Sequence, residues 1–329
     1  MNRSSCPIER SSSTGNRYLR RFVFVVGCGH SGSTVLTMIL GAHPEILALS
    51  EIAFFDRWIQ LNDLCNCGIP VRSCPFWSKV IDRLCAKRAF SPTNFAKEFA
   101  IDLSSTFDRT LPPQRVAHLL SILAVRTFPK PIWLQMARFS AWSALLERTH
   151  NAVEFYDTAC EVSGRSILVD SSKSIYRFLH IHFMRPCEVL AVYLTRDGRA
   201  VMNSLMKTGY SAREAARRWW RANLYTKWML RRIPPERQIH LAYEELCRAP
   251  QQTIRKLCQF IGIQYLPSMF ARPADPYHLI GGNDARLKPD LNLVEDRSWQ
   301  TELSADSLDV FERLSGRMNR KLLKQLSYN

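Results

Sequence analysis

The sequence lacks the features of an exported or membrane-spanning chain. Residues 1–21 contain Ser, Gly, Arg and Glu but no apolar h-region, so they do not have the pattern of a secretory signal peptide. The most apolar stretch, from residue 22 to about 49, is broken by Gly, Ser, His and Pro, and so lacks the ~20 lipid-compatible residues of a membrane helix. We therefore expect a soluble, cytoplasmic protein with no membrane span, in which residues 1–21 form a flexible tail.

Acidic residues are scarce relative to basic ones. The chain has 45 Lys and Arg against 29 Asp and Glu, a formal net charge of +16 at pH 7. A surface of this charge favours anionic partners, such as nucleic acid, an acidic membrane or a polyanionic cosubstrate. A non-catalytic nucleic-acid-binding protein is one rival interpretation, suggested by this charge and by the Arg-rich helix at 213–232, whose basic face also suits solvent. The basic residues are spread through the chain and no nucleic-acid-binding motif is present, so a nucleic-acid partner is not expected.

A strand, a glycine-rich loop and a helix follow one another near the beginning of the chain. Residues 22–26 (FVFVV) form a short apolar run, typical of a strand buried on both faces of a parallel sheet. The loop GCGHSGST at 27–34 leads into VLTMIL, which has the pattern of a helix ending at Gly41. This order is typical of a phosphate-binding α/β unit.

Later apolar runs repeat the strand pattern at helix-length spacing, at residues 166–170, 188–195 and 238–243. Residues 52–165 show mostly helical patterns and read as an insertion that covers the sheet edge. We predict an α/β fold: a P-loop-like three-layer sandwich with a central parallel sheet and a large helical insertion. No internal repeat is visible, and residues 22–329 are predicted to form a single domain.

The glycine-rich loop departs from the Walker A pattern at its key position. Gly27, Gly32 and Thr34 fit that pattern, but Ser33 stands where a lysine must contact the β- and γ-phosphates of a nucleoside triphosphate. An ordinary ATPase or kinase is therefore disfavoured, whereas backbone N–H groups and hydroxyls still suit a phosphate. A tight Gly/Ser turn without a ligand is the alternative.

A second basic element ends the strand at 188–195. Arg196 lies where the ligands of α/β proteins bind, outside the carboxyl end of a strand, and Asp197 is a candidate N-cap of the next helix. Ser204 follows about two helical turns later, so Arg196 and Ser204 can converge on one anion. Taken alone, the sequence RDGR would also suit a surface turn.

Together these elements resemble the sulfotransferases that use 3′-phosphoadenosine 5′-phosphosulfate, in particular the bacterial and protein-tyrosine branch. The segment Ser31–Thr34 is similar to the family's loop for the 5′-phosphosulfate, and Arg196 with Ser204 to its 3′-phosphate site. The segment Leu40–Pro44 (LGAHP), followed by Glu51, resembles the family's approach to its glutamate base.

The resemblance implies roles for individual residues. Glu51 would be the general base, with a solvated carboxylate as the alternative, and His30 and Lys173 would stabilise the leaving oxygen and the sulfuryl group. His30 departs from the family, which usually has Lys or Arg there, and a neutral imidazole carries no charge. The nucleotide would be held by Gly29, His30, Ser31, Gly32, Ser33, Thr34, Arg196, Ser204, Tyr243 (near adenine) and the loop residues Gly281, Gly282, Asn283 and Arg286.

The implied cosubstrate is 3′-phosphoadenosine 5′-phosphosulfate, with adenosine 3′,5′-bisphosphate as product and no metal. The acceptor would carry a hydroxyl group, on a small molecule, a carbohydrate or a tyrosine, and the oligomeric state stays open. A Mg²⁺-dependent P-loop kinase is the other rival interpretation, because the strand ending at Asp170 resembles a Walker B strand.

Three cysteines, Cys65, Cys67 and Cys74, lie close together in the insertion. Such a group suits a metal site or a local disulfide, and buried thiols are the third reading. The segment offers no fourth ligand and its spacing is not one of the common zinc patterns. A metal is therefore not expected here.

Overall fold

The computed structural model describes residues 20–92, 95–103, 140–271, 278–287 and 293–326. Within them, five strands form one parallel sheet, in the order β2-β3-β1-β4-β5. The strands are β1 (Arg21–Gly27), β2 (Ile46–Ser50), β3 (Ile167–Lys173), β4 (Val189–Thr195) and β5 (Gln238–Ala242).

Helices cover both faces of this sheet. Those of the first half are α1 (Ser33–Gly41), α2 (Phe55–Leu61), α3 (Pro75–Arg88), α4 (Phe95–Glu98) and α5 (Ser140–Ser163). Those that follow β3 are α6 (Ile175–Met184), α7 (Gly198–Met206), α8 (Ala212–Leu230), α9 (Tyr243–Arg248), α10 (Pro250–Ile261), α11 (Trp299–Glu302), α12 (Ala305–Phe311) and α13 (Arg317–Leu326). Among the described residues, no helix is both long and apolar enough to cross a bilayer.

The central strand β1 divides the hydrophobic core into two layers. Phe22, Phe24 and Val26 pack into the larger cluster, with aromatic side chains of α2, α3, α5 and α6. Val23 and Val25 pack into the other cluster, with α1 and α10. All five side chains are at most 2% exposed, so alternating residues are apolar on both sides, as a sheet covered on both faces requires. The predicted three-layer α/β fold is confirmed.

One strand was missed by the sequence analysis. β2 (Ile46–Ser50, ILALS) is not rich in β-branched residues and lies five residues after α1, so its pattern was not recognised. Of the predicted tail, residues 1–19 lie outside the described part, whereas Arg20 pairs with Asp157 at 2.6 Å and Arg21 begins β1. The insertion at 52–165 is mostly helical where it is described, apart from the turns at residues 62–74; residues 93–94 and 104–139 lie outside that part.

A buried ion pair holds the end of β3. The Nε of Arg177 lies 2.9 Å from Asp170 Oδ2, and neither side chain is exposed to solvent. Tyr156 donates its hydroxyl proton to the same oxygen, and the backbone N–H of Ser172 donates to Oδ1 at 2.7 Å. Asp170 therefore has both oxygens bound within the protein, which disfavours the Walker B role that its position suggested.

His182, on α6, titrates differently from an exposed histidine. Its ring stacks on Phe178 at a centroid distance of 5.5 Å, and its buried Nδ1 has no hydrogen-bond partner within the described residues. Burial lowers the pKa of His182 from 6.5 to about 4, and the positive charge of Arg237 acts in the same direction. The imidazole is therefore neutral in the folded protein at neutral pH.

We expect the substitution His182→Phe to reduce the acid sensitivity of folding. Because the unfolded chain binds this proton near pH 6.5 and the folded chain only near pH 4, the free energy of unfolding falls over that interval as the pH is lowered. At pH 5 the variant should avoid about 2 kcal/mol of the loss. Urea unfolding at pH 7.5 and pH 5 measures this difference, and equal losses in both proteins would contradict it.

Candidate functional site

The loop after β1 presents an uncapped helix N-terminus. Helix α1 begins at Ser33, and its N-cap, Gly32, supplies no side-chain hydrogen bond. The first N–H groups of any helix lack intrahelical partners and attract anions. Ser31 is 1% exposed, and its hydroxyl has no hydrogen-bond partner in the part of the chain that the structure describes. The predicted loop thus offers donors that suit a phosphate or sulfate group.

Tyr243 packs directly on this loop. Gly32 has a φ of 82°, and a Cβ at this position would overlap the ring of Tyr243, so only glycine fits. The guanidinium carbon of Arg196 lies 4.9 Å from the centre of the same ring. The tyrosine hydroxyl donates to the carbonyl of Val294 at 3.1 Å. Tyr243 is therefore a wall of the phosphate loop, and its contact with adenine stays a prediction.

Arg196 and Ser204 meet the loop at His30. Arg196 Nη1 donates to the carbonyl oxygen of His30 at 3.0 Å, and Ser204 Oγ lies 2.8 Å from His30 Nδ1. Asp197 accepts a hydrogen bond from the backbone N–H of Arg199 and so caps α7, as predicted, which places Ser204 on the helix that starts beside Arg196. The two anion-binding elements expected from the sequence are thus in direct contact.

Glu51 and Lys173 form an ion pair at the ends of neighbouring strands. Lys173 ends β3 and Glu51 directly follows β2, and these two strands are paired up to Ser50 and Asp170. The side chains of Glu51 and Lys173 are 19% and 18% exposed, so both are partly shielded from water. The proposed base and the proposed cationic side chain therefore share one part of the site.

Three residues of the site have a backbone conformation that non-glycine residues rarely adopt. His30, Ser50 and Lys173 have φ values of 63°, 63° and 62°. Each such residue costs roughly 1–3 kcal/mol and persists only where the surrounding structure enforces it, often at functional sites. These three residues lie at or just after the carboxyl ends of β1, β2 and β3, which share one edge of the sheet.

His30 is surrounded by positive charge. Its pKa is lowered below 6.5, first by burial and then by the charges of Lys173, Arg218 and Arg196, whereas Glu51 acts in the opposite direction. The imidazole is therefore neutral at pH 7, and it offers hydrogen bonds rather than a charge. The positive potential of the site comes from the three neighbouring cations.

The loop that contains Gly281 and Gly282 lies beside Glu51, the predicted base. Gly281 packs on the indole of Trp58, and a Cβ at Gly282 would lie 3.2 Å from Ser50 Oγ and 3.5 Å from Glu51 Cγ. Asn283 is exposed and accepts a hydrogen bond at its side-chain oxygen from the N–H of Ala285 at 2.8 Å.

Arg286 is buried beside the acidic residues Asp63 and Asp284. It is 3% exposed, and Nη2 donates to Asp63 at 2.8 Å and to the carbonyl of Leu64 at 3.0 Å. Nη1 lies 3.4 Å from Asp284. These oxygens occupy Nη1 and Nη2, whereas the buried Nε has no hydrogen-bond partner within the described residues, and the binding of a 3′-phosphate by Arg286 stays a prediction.

Two residues near the site were missed by the sequence analysis. Arg218 lies on α8, and its charge acts on His30 and Cys28. Asp296 lies 3.4 Å from Arg196 Nη2 and is half exposed. Neither residue belongs to a local motif, and no sequence signal pointed to either of them.

A model of the sulfotransferase family matches residues 116–267. This segment is therefore similar to sulfotransferases, as the resemblance seen in the sequence led us to expect. The matched residues include Lys173, Arg196, Ser204 and Tyr243, whereas the loop after β1 and Glu51 precede them. No curated protein matches the chain.

Solved structures similar to this chain include a sulfotransferase domain from the curacin biosynthetic pathway, with 16% identity, 94% of this chain and 99% of that chain covered, and a TM-score of 0.47. The sulfotransferase domain of a Synechococcus olefin synthase has 15% identity, 97% and 99% coverage, and a TM-score of 0.47. A mouse sulfotransferase complexed with PAP has 12% identity, 94% and 89% coverage, and a TM-score of 0.42.

We expect Asp296→Asn to strengthen the binding of adenosine 3′,5′-bisphosphate. Asp296 competes with an anion for Arg196, and hydrogen bonds from Ser298 lower its pKa, so it is charged at neutral pH. Removal of an exposed charge pair of this kind changes binding by about 1 kcal/mol, or roughly fivefold in Kd. Isothermal titration calorimetry measures the effect, with the equally exposed Asp309→Asn as control; unchanged or weaker binding would contradict the prediction.

Proposed function

We propose that the protein transfers the sulfuryl group of 3′-phosphoadenosine 5′-phosphosulfate to a hydroxyl group of an acceptor. The observation that carries this proposal is the contact of Arg196 and Ser204 with His30, because it joins two anion-binding elements into one site. A nucleotide with phosphates on both sides of its ribose needs such a pair of elements.

The 5′ side of the nucleotide would lie at the N-terminus of α1. The open N–H groups after Gly32 and the unpartnered hydroxyl of Ser31, within the described residues, suit the oxygens of a 5′-phosphosulfate. Ser33 and Thr34 add two further hydroxyl groups to the same turn. The positive charges around His30 would stabilise this anion in a partly buried site.

The 3′-phosphate would be held by Arg196 and Ser204. Arg196 keeps one guanidinium nitrogen on the carbonyl of His30, and the other lies 3.4 Å from the half-exposed carboxylate of Asp296, which a phosphate would replace. Guanidinium groups bind phosphate oxygens with strong, directed hydrogen bonds. Ser204 is placed to add one hydroxyl donor from α7.

Glu51 would act as the general base. Its carboxylate would accept the proton of the acceptor hydroxyl while that oxygen forms a bond to sulfur, and the bond from sulfur to the 5′-phosphate oxygen breaks on the opposite side. The electron pair of that bond leaves with adenosine 3′,5′-bisphosphate. The step needs no further reactant.

Lys173 would change partners during this reaction. It pairs with Glu51 in this structure, and its charge reaches His30 as well. Movement of the Lys173 side chain, so that its ammonium group pairs with the phosphosulfate, would free the Glu51 carboxylate. The ammonium group would then stabilise the charge on the leaving oxygen. His30 would donate a hydrogen bond as a neutral imidazole, so the cationic role of this position in the family passes to Lys173.

The kinase alternative is less well supported. Asp170 is the residue that would hold Mg²⁺, but its two oxygens are bound by Arg177, Tyr156 and the N–H of Ser172. Ser33 also replaces the lysine that a nucleoside triphosphate requires. The acceptor, the oligomeric state and the cytoplasmic location stay open to experiment.

Glu51→Gln should reduce turnover by about 100-fold or more, the usual scale for a positioned base, while the affinity for adenosine 3′,5′-bisphosphate stays within a few fold. Transfer of labelled sulfate to a panel of phenols, carbohydrates and tyrosine peptides measures turnover. Glu45→Gln, an exposed glutamate before β2, is the matched control. Turnover close to that of the wild type would exclude Glu51 as the base.

Arg196→Ala should weaken the binding of adenosine 3′,5′-bisphosphate by about 10-fold to 100-fold, because a charge-assisted hydrogen bond is lost. Adenosine 5′-monophosphate, which lacks the 3′-phosphate, should lose far less. Calorimetric titration of both nucleotides measures the difference, and Arg185→Ala, which removes a half-exposed charge before β4, is the control. Equal losses for the two nucleotides would place the 3′-phosphate elsewhere.

A further inference from the structure

Four potential metal ligands converge next to the site. Cys65, Cys67 and Cys74 come from the segment between α2 and α3, and His278 comes from a loop more than 200 residues away. The ligand atoms of these four side chains lie within 4.8 Å of one another. The fourth ligand that the cysteine segment itself lacks is thus supplied by the tertiary fold.

The local backbone explains how three cysteines reach one point. The N–H of Cys65 donates to Ile69 at 3.0 Å and the N–H of Gly68 donates to Cys65 at 2.9 Å, so the chain turns tightly around Cys67. Cys74 is the N-cap residue of α3, directly before Pro75. The turn and the helix start therefore hold the thiols toward each other.

Four of the six distances between the ligand atoms are close to those of a tetrahedron around a single ion, and the other two are within 4.8 Å. With Zn–S of about 2.3 Å and Zn–N of about 2.0–2.1 Å, two sulfur ligands lie about 3.8 Å apart, and a sulfur and a nitrogen about 3.5 Å apart. Here Cys67 and Cys74 are separated by 3.7 Å and Cys65 and Cys74 by 3.8 Å, from sulfur to sulfur. His278 Nδ1 lies 3.3 Å from Cys74 Sγ and 3.7 Å from Cys65 Sγ.

Alternative states of these side chains fit less well. The three thiols are free, and their separations are well above the ~2.05 Å of a disulfide bond. Cys65 and Cys74 are fully buried. Without a metal, three thiols and one imidazole would have to satisfy one another mainly through S–H groups, which are weak hydrogen-bond donors. Sulfur and imidazole ligands in tetrahedral geometry are the set that Zn²⁺ prefers.

We propose that Cys65, Cys67, Cys74 and His278 bind one structural zinc ion. Four protein ligands complete the coordination, so the ion has no open position for substrate and does not take part in sulfuryl transfer. This site is independent of the proposed function, whose chemistry needs no metal. The expectation that these cysteines bind no metal is replaced by this proposal.

The zinc ion would fix the loop that lies beside the base. Asn66 lies between two of the cysteines, and its backbone N–H donates to the carbonyl oxygen of Leu279 at 3.1 Å. In return, the side-chain oxygen Oδ1 of Asn66 accepts a hydrogen bond from the backbone N–H of Leu279 at 2.9 Å. Asp63 accepts hydrogen bonds from Gly281 and Arg286 at 2.9 and 2.8 Å. The ion would thus join the segment before α3 to the loop that packs on Glu51.

The ring of His278 is also supported from its other side. It stacks on Phe76, in the first turn of α3, with a centroid distance of 4.7 Å and an interplanar angle of 12°. This contact holds the plane of the imidazole and leaves Nδ1 directed at the thiols. Groups that orient a metal-bound histidine contribute to metal affinity.

The metal content of the full chain tests the proposal. Protein expressed without a histidine tag and purified under reducing conditions without chelators should contain about one zinc ion per chain by mass spectrometry of the metal. Cys74→Ala and His278→Ala should each bind zinc roughly 100-fold more weakly or worse, because changes outside the coordination shell already cost 10–100-fold. Cys85→Ala, which removes a buried thiol of α3 outside the cluster, should keep its zinc.

A variant that fails to fold would also lose zinc, so the wild-type protein provides a second measurement. Replacement of the metal by Co²⁺ should give the thiolate-to-cobalt charge-transfer bands and the strong visible bands of a tetrahedral site. Removal of the metal by a strong chelator should lower the Tm, and zinc should restore it.

The possible outcomes separate clearly. Wild-type protein that holds no zinc and takes up neither Zn²⁺ nor Co²⁺ overturns the proposal, as does a disulfide among the three cysteines or an iron–sulfur cluster in their place. Adenosine 3′,5′-bisphosphate binding, measured on the same preparations, reports separately on the proposed function. A zinc-loaded protein that binds no nucleotide would refute that function and leave the metal site standing.

Discussion

The hydrogen bond from Arg196 to the carbonyl oxygen of His30 is the contact on which the arrangement of the site depends. It ties the loop after β1 to the end of β4, two strands that are neighbours in the sheet. In a parallel sheet all carboxyl ends lie at one edge, and ligands bind where the strand order changes direction. Here that change falls at β1, which has β3 on one side and β4 on the other.

Positive charge is concentrated at this edge of the sheet, and nearby carboxylates neutralise part of it. Lys173, Arg196 and Arg218 surround a neutral imidazole, and two carboxylates, Glu51 and Asp296, neutralise part of that charge. Below them, the buried pair of Asp170 and Arg177 holds the end of β3 in place. Breaking such a buried pair typically costs about 3–5 kcal/mol, so the pair gives the end of β3 strong support.

Much of the sheet could be predicted from the sequence, and part of the site. The runs at β1, β3 and β4 are apolar on both faces, which is a strong pattern, whereas β2 is short and not β-branched. Arg196 and Ser204 were found because strand ends and helix spacing place them together. His278, Arg218 and Asp296 were not assigned a role, because their neighbours are distant in the sequence and come together only through tertiary packing.

The left-handed backbone at His30, Ser50 and Lys173 has a consequence for engineering. Ser50 and Lys173 end β2 and β3, and His30 follows the end of β1 by three residues. The strands themselves are held by aromatic side chains of α2, α3 and α5 and by the contact of Tyr156 with Asp170. A chimaera that exchanges the helical cover should therefore keep Tyr156 and the aromatic side chains that pack on β1, because the geometry of the strand ends depends on them. The remaining surface of the cover can then be varied without disturbing the sheet.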